Sequence, residues 1–175
     1  MFGKIKTAIK EVNNTASGMA CMRHVSEGAS LANSGMHREA IKCYDTAIRI
    51  NPQYADAWAK KAVLMSNLER YEESIRCWDK MIEISPENHV AWYGKGIACF
   101  KLGRHEEAME YFDNSTKINQ QDADVWKGIG LAYFTLGRYE EAIKCCNNVL
   151  AINPHDEVAL NGKNASMLAL ARKDG

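Results

Sequence analysis

Cysteine and histidine are among the side chains of this 175-residue sequence that could act as nucleophiles, bases or metal ligands. A zinc site would need pairs such as Cys-x-x-Cys, or a second Cys/His pair at ligand spacing. No Cys-x-x-Cys pair occurs, and Cys21-x-x-His24 has no partner pair of that kind. Cys43, Cys77 and Cys145 instead lie 34 and then 68 residues apart, so we interpret them as small packing residues at one position of a repeating unit.

Catalytic and nucleotide-binding patterns are also missing from the sequence. A Ser or Cys nucleophile needs a nearby base and an orienting acid, yet the five histidines fall at predicted turns or repeat edges and none recurs beside a cysteine. Gly94-Lys-Gly96 and Gly128-Ile-Gly130 lie in predicted helices and complete neither phosphate-binding glycine motif. The sequence therefore predicts no enzyme activity, no metal and no cofactor.

The composition is that of an ordinary folded protein without excess charge. Lys and Arg total 22, Asp and Glu total 22, and 46% of the residues are apolar. A neutral chain lacks the basic surface that nucleic-acid binding requires. The first ten residues interleave lysines with apolar residues, and no apolar run is long enough to cross a bilayer. We expect a cytoplasmic protein that binds neither nucleic acid nor membrane.

A 34-residue period positions all of these side chains. Trp58, Trp92 and Trp126 are spaced by 34 and again by 34. Within each unit, apolar residues recur every three or four positions, which indicates two amphipathic helices. Glycines that can adopt a left-handed backbone are predicted to end the first helix of a unit. They are Gly35, Gly103 and Gly137.

An Arg-x-Glu-Glu motif recurs with the same period, at residues 70–73, 104–107 and 138–141. Its glutamates fall in the first turn of each predicted second helix, where negative charge stabilises the helix dipole by about 0.3 to 1 kcal/mol each. We interpret the motif as structural rather than as a ligand site.

This pattern resembles the tetratricopeptide repeat family, whose signature places Trp at position 4, Gly at 8, Ala at 20, Phe at 24, Ala at 27 and Pro at 32. His24 stands for the Trp of the first unit, and Cys146 replaces the Phe of the fourth. The resemblance implies an all-α, right-handed α-solenoid of helix-turn-helix repeats, in which Gly96 and Gly130 let paired helices approach closely. The four repeats would span 21–54, 55–88, 89–122 and 123–156.

Segments outside the repeats are predicted at both ends. Residues 157–175 keep the period, with Leu160 at the Trp position, and stop before a second helix, which predicts a C-terminal capping helix and tail. Residues 1–20 are predicted to form an N-terminal arm with a short amphipathic helix. A polar stretch at 13–18 is expected to break that helix. The apolar stripe of the arm consists of Phe2, Ile5, Ile9 and Val12.

In this family the first helices of the repeats line a concave groove that holds peptides, and the resemblance implies ten contact residues here. We expect Phe100 and Phe134 to be exposed in this groove beside Gly94 and Gly128, and Ile97 and Leu131 to pack between helices. The alternative is that Tyr93, Phe100 and Phe134 simply pack between neighbouring first helices. The ten are Lys60, Val63, Asn67, Tyr93, Ile97, Phe100, Lys101, Lys127, Leu131 and Phe134.

The lysine- and asparagine-rich clamp with which some family members hold a C-terminal carboxylate is not matched by the residues at its positions. These are Val25, Ala29, Lys60, Val90 and Gly94. The predicted function is therefore a non-catalytic scaffold that binds an apolar or helical segment of a protein or peptide partner. The alternative is structural self-association, in which the arm or a second copy in a homodimer fills the groove.

Overall fold

A computed structural model describes residues 2–173 of the chain, with side chains from residue 15 onward. Within these residues the chain forms nine α-helices and no strand, which confirms the predicted all-α architecture. The helices belong to two compact units, Met1–Glu87 and Asn88–Gly175. They are α1 (Phe2–Asn33), α2 (His37–Ile50), α3 (Ala55–Asn67), α4 (Tyr71–Ile84), α5 (His89–Lys101), α6 (His105–Ile118), α7 (Ala123–Thr135), α8 (Tyr139–Ile152) and α9 (Glu157–Lys173).

Left-handed residues close the turn inside each helix pair. Gly35, Gly103 and Gly137 have φ angles of 78°, 78° and 70°, as their spacing predicts. Glu69 adopts φ 58° at the equivalent place in the second repeat, which the sequence pattern did not reveal. In all four turns the N–H groups of this residue and of the next one bond to carbonyls three and five residues earlier. This bonding satisfies the last carbonyls of the first helix.

Polar side chains at the last position of a repeat cap the first helix of the next one. Asn88, Asp122 and Asp156 lie 34 residues apart, at the starts of α5, α7 and α9. A side-chain oxygen of each accepts backbone N–H groups of the first turn, at distances of 2.9 to 3.3 Å. Such caps satisfy N–H groups that have no partner inside the helix.

Indole hydrogen bonds also fix the starts of α3 and α7. The Nε1–H of Trp58 donates to the carbonyl oxygen of Pro52, and that of Trp126 donates to the carbonyl oxygen of Gln120, both at 2.9 Å. Gln120 stands where the family signature has Pro. Because the indole uses the backbone carbonyl, the loss of the Pro ring leaves this bond in place.

The first unit contains α1 to α4, and α1 differs from the predicted arm. The helix runs without interruption through residues 13–18, so the expected break there is wrong. No Pro occurs in that stretch, Asn, Thr and Ser each cost a helix well under 1 kcal/mol, and Gly18 costs about 1 kcal/mol. Packing of Cys21 and Val25, which are 0% and 5% exposed, anchors the helix beyond it. The stripe of Phe2, Ile5, Ile9 and Val12 lies outside the residues whose side chains the structure describes.

The second unit contains α5 to α9, in which each helix packs on the one before it and α7 also contacts α5 and α9. Gly96 on α5 faces the ring of Phe112 on α6, and a Cβ atom added at Gly96 would lie 2.6 Å from it. The close approach expected at the glycine of position 8 is therefore confirmed for this repeat. In the described part of the chain, no helix is long and apolar enough to span a membrane.

Candidate functional site

Three predicted groove residues belong to the first unit and lie on α3. Lys60, Val63 and Asn67 are all exposed, with Val63 at 48% of its full accessible surface. Their neighbour Ser66 instead turns toward the paired helix, where its hydroxyl oxygen lies 2.8 Å from that of Ser74 on α4. The face that carries the three residues is therefore open to solvent.

Tyr93 on α5 serves packing rather than an open groove. Its ring lies 5.8 Å from the ring of Phe112, and a Cβ atom added at Gly128 on α7 would collide with the Tyr93 hydroxyl and ring. Burial, followed by two nearby carboxylates, raises the pKa of this hydroxyl. Gly128 therefore accommodates the ring of Tyr93 on this side of α7.

The other predicted residues on α5 differ in their exposure to solvent. Phe100 is half-buried, and its ring packs at 5.0 Å from the imidazole of His105 at the start of α6. Phe100 is therefore less exposed than expected, since its ring contacts the first residue of the next helix. Ile97 is half-buried, and Lys101 is exposed at the end of α5.

Lys127, Leu131 and Phe134 come together on one face of α7. Leu131 is 67% exposed, so it does not pack between helices as expected. Phe134 is 36% exposed, and its ring packs edge-on against Tyr139 at 5.5 Å. These three side chains border a cavity that the sequence pattern did not predict.

The cavity has a volume of about 400 Å³ and lies between α7, α8 and α9. Its walls are formed mainly by apolar and small side chains, with Lys127 as the charged member. Val158 on α9 is 66% exposed and continues the apolar surface that Leu131 begins. The lining residues are Lys127, Gly128, Gly130, Leu131, Phe134, Cys146, Val149, Val158, Ala159, Gly162, Ala165 and Ser166.

Cys146 and Val149 are the wall residues on α8 that sequence reasoning missed. The replacement of the Phe at position 24 by Cys146 was visible in the sequence, as was the retained Gly130 opposite it. A retained glycine opposite a lost ring indicates empty space when the two positions are considered as a pair. The repeat signature considers each position separately, so it does not indicate a cavity.

Charge at the edge of the cavity is held in a fixed cluster. The Lys127 ammonium lies 2.7 Å from a carboxylate oxygen of Asp124 and 3.4 Å from one of Asp156. The hydrogen bond to Asp124 raises the pKa of Lys127. The backbone N–H of Ala159, together with Lys127, lowers the pKa of Asp156. One ammonium shared by two carboxylates leaves this rim with a net negative charge at neutral pH.

The thiols near the cavity are poor nucleophiles. Burial raises the pKa of Cys145 to about 12 and also raises the pKa of Cys146. A protonated thiol neither attacks a substrate nor binds a metal efficiently. Among the residues that the structure describes, no group of three His, Cys, Asp or Glu side chains could hold a metal ion. The wall at Cys146 is therefore an apolar surface at neutral pH.

Comparison with solved structures places this architecture among repeat proteins. The chain is similar to MamA, with 18% identity, 90% of this chain and 86% of that chain covered, and a TM-score of 0.75. It is also similar to YrrB, a TPR protein with an unusual peptide-binding site, with 19% identity, 95% and 97% coverage and a TM-score of 0.66. At these identities the likeness shows the fold alone.

A third similar structure is the first TPR of Spaghetti (RPAP3) bound to the HSP90 peptide SRMEEVD. It shares 27% identity, covers 68% of this chain and 94% of that chain, and has a TM-score of 0.62. No curated protein sequence matches the chain significantly.

Sequence profiles of the family carry the assignment further than these single structures. Profiles of the tetratricopeptide repeat match residues 24–54, 43–76, 89–122 and 123–156, which together cover more than half of the chain. The helix pairs, the 34-residue period and the profile matches agree, and the chain belongs to the tetratricopeptide repeat family.

Proposed function

We propose that this chain is a non-catalytic scaffold that binds an apolar or helical segment of a partner protein, with the surface of α7 and α9 as its centre. The observation that carries the proposal is the exposure of Leu131 and Val158, at 67% and 66%, on either side of an apolar cavity. Exposed apolar side chains that form a cluster often mark a binding surface, whereas single exposed apolar residues are common on any protein. Pockets of 300 to 1,000 Å³ are typical of ligand sites.

The neighbouring structures support a peptide as the class of partner. The Spaghetti repeat domain was solved with a peptide, and YrrB is described with a peptide-binding site. The positions of the carboxylate clamp hold Val25, Ala29 and Val90 in this chain, together with Lys60 and Gly94. We therefore propose recognition by apolar contacts, without a clamp on a C-terminal carboxylate.

Partner capture by surface variants tests this function. Leu131→Gln combined with Val158→Gln removes two exposed apolar side chains, so the fold should persist while capture from a native extract falls about tenfold or more. Met36→Gln, on an exposed apolar residue outside this surface, is the matched control and should leave capture unchanged. Circular dichroism should show equal helix content in all three proteins. If the double variant captures the same partners at wild-type levels, this surface is not the binding site.

Self-association remains the second candidate, because α9 also exposes apolar side chains on another side. Leu160 and Met167 are 42% and 52% exposed. In the third repeat the equivalent of Leu160, Trp92, packs on Tyr111 of the paired helix at 6.1 Å between rings. Within the second unit, α9 packs against α7 and α8. A second copy that packs on the side of α9 that carries Leu160 and Met167 would cover these two side chains.

Light scattering separates the two candidates. A monomer at all concentrations favours the scaffold, whereas a dimer that is lost in Leu160→Gln/Met167→Gln, but kept in Leu131→Gln/Val158→Gln, favours self-association. Deletion of residues 1–14 shows whether the N-terminal part of α1 takes part in it.

A further inference from the structure

The third and fourth repeats differ in what occupies the space in front of the glycine at position 8. In the third repeat a Cβ atom at Gly96 would lie 2.6 Å from the Phe112 ring. In the fourth repeat a Cβ atom at Gly130 would meet only Cys145 Cβ at 3.2 Å and the carbonyl oxygen of Ala142 at 3.8 Å. No side chain in the fourth repeat fills the space that the Phe112 ring fills in the third.

A second ring is lost at the next contact between first helices. Tyr93 on α5 packs onto Gly128 of α7, and the equivalent pair one repeat later is Lys127 on α7 and Gly162 on α9. A Cβ atom at Gly162 would meet only Cys146 Sγ, at 3.3 Å. The ammonium of Lys127 is bound to its two carboxylates instead. Both glycines that would face the rings, Gly130 and Gly162, line the cavity.

We propose that this cavity is a pocket for an aromatic side chain of the partner segment, which deepens the proposed function and rests on it. The backbone here keeps the two glycines that accept rings one repeat earlier, while the chain supplies neither ring. An aromatic side chain entering from the partner would restore the contacts that an unfilled void lacks. The exposed side chains of Leu131 and Val158 lie at the cavity and leave it open to solvent.

The lining also favours an uncharged aromatic ring over an acidic group. The rim cluster of Lys127, Asp124 and Asp156 carries net negative charge, and its ammonium is already bound by both carboxylates. The remaining walls are apolar side chains, backbone of small residues and Ser166, whose hydroxyl already donates to the carbonyl oxygen of Gly162. A Phe or Trp side chain matches such walls, whereas a carboxylate would lose its hydration without gaining a partner.

Nuclear magnetic resonance of the full chain with two aromatic probes tests the pocket. Indole is the Trp ring alone, and N-acetyltryptophanamide carries the same ring on a peptide backbone. Both should produce saturable shifts of the Gly130 and Gly162 amides. The amide of Gly96, whose facing ring is in place, should not shift and serves as the internal control.

Filling variants make the test specific. Cys146→Phe restores the ring of the third repeat and should weaken both probes about tenfold or more while raising the midpoint of thermal unfolding. Cys146→Ser keeps the space and should bind the probes within about twofold of wild type. Lys127→Tyr restores the second ring and provides an independent filling variant if Cys146→Phe does not fold.

Several outcomes would overturn the proposal. These are no saturable shift at Gly130 and Gly162, equal binding by wild type and the filling variants, or binding of indole without N-acetyltryptophanamide, which would indicate a site for small molecules. A wild-type dimer that Cys146→Phe converts to a monomer would identify a second copy as the occupant. Partner capture that is lost in Leu131→Gln/Val158→Gln while neither probe binds would leave the scaffold function standing and reject only the pocket.

Discussion

The third and fourth repeats share a backbone and differ in what fills it. In the third repeat, Phe112 and Tyr93 pack against glycines of neighbouring helices, and Phe112 is only 2% exposed. In the fourth, Cys146 and Lys127 stand at the equivalent positions, and a cavity of about 400 Å³ remains. The backbone of this repeat therefore does not depend on the rings. One copy can use the space for stability, and the next can keep it for a ligand.

The largest expected difference between the two repeats concerns the ring itself. Phe112→Ala removes a buried ring and should lower the free energy of unfolding by about 3 to 5 kcal/mol. Cys146→Ala, at the equivalent position, removes one sulfur atom beside an existing cavity and should cost about 1 kcal/mol or less. Urea denaturation of both variants measures the difference. Equal losses would show that the fourth repeat is packed as tightly as the third.

Glycine substitutions test the second ring position. Gly128→Ala forces a Cβ atom into the Tyr93 side chain and should destabilise the protein by about 1 to 3 kcal/mol. Gly162→Ala meets only the sulfur of Cys146 and gains helix propensity of about 1 kcal/mol, so it should be neutral or stabilising. Tyr93→Leu should rescue Gly128→Ala in a double-mutant cycle. Absence of rescue would contradict the packing of Tyr93 on this glycine.

The turns extend the comparison to the second repeat. Glu69 holds a left-handed backbone that glycine occupies in the other three repeats. Glu69→Gly should therefore raise the free energy of unfolding by up to about 1 kcal/mol, because it relieves steric strain. Gly103→Ala introduces that strain into the third repeat and should destabilise by a similar amount. Thermal unfolding midpoints that move in the same direction for both variants would refute this explanation.

The smallest effect concerns the caps of α5 and α7, one neutral and one acidic. Burial opposes ionisation of Asp122, but hydrogen bonds from His89 and from backbone N–H groups outweigh it and lower its pKa below the ordinary 3.8. A lowered folded-state pKa means that the contribution is complete above pH 3.8 and is lost as the pH falls through the folded-state value. Asp122→Asn should therefore flatten the acid loss of stability below pH 3.8.

Asn88→Asp is the complementary change, because it places a carboxylate at the equivalent cap of α5 and should steepen the same loss. Unfolding free energies measured from pH 6 to pH 2 check both slopes. Identical slopes in wild type and both variants would show that the caps do not titrate separately between the folded and unfolded states.

The repeating helices could be predicted from the sequence because the same residue types recur at the same repeat positions. Gly103 ends α5 and Trp126 lies at the start of α7 through contacts with residues close in sequence, so the same structure forms wherever these residues recur. The continuity of α1 was not foreseen, since several weak helix formers in a row suggested a break. Each of them costs little when the packed residues beyond them already hold the helix.

The candidate site was predictable only in part. The face of α7 that carries Leu131 and Phe134 follows from the resemblance. The cavity depends on residues of three helices at once. Cys146 on α8 and Lys127 on α7 stand where the third repeat has rings, and Gly162 on α9 remains opposite them. Sequence periodicity describes residues that are present at each position. It does not describe a volume that neighbouring helices leave empty.

The capping residues also decide where this chain could be divided. Because Asn88, Asp122 and Asp156 close one 34-residue unit and bind the first turn of the next, a cut at the unit boundary separates a helix from its cap. A junction placed in the turn within a helix pair would keep every cap with its helix. For duplication, recombination or grafting, the transferable module is thus a second helix followed by the next first helix, and the sequence repeat and the exchangeable piece are out of phase by half a unit.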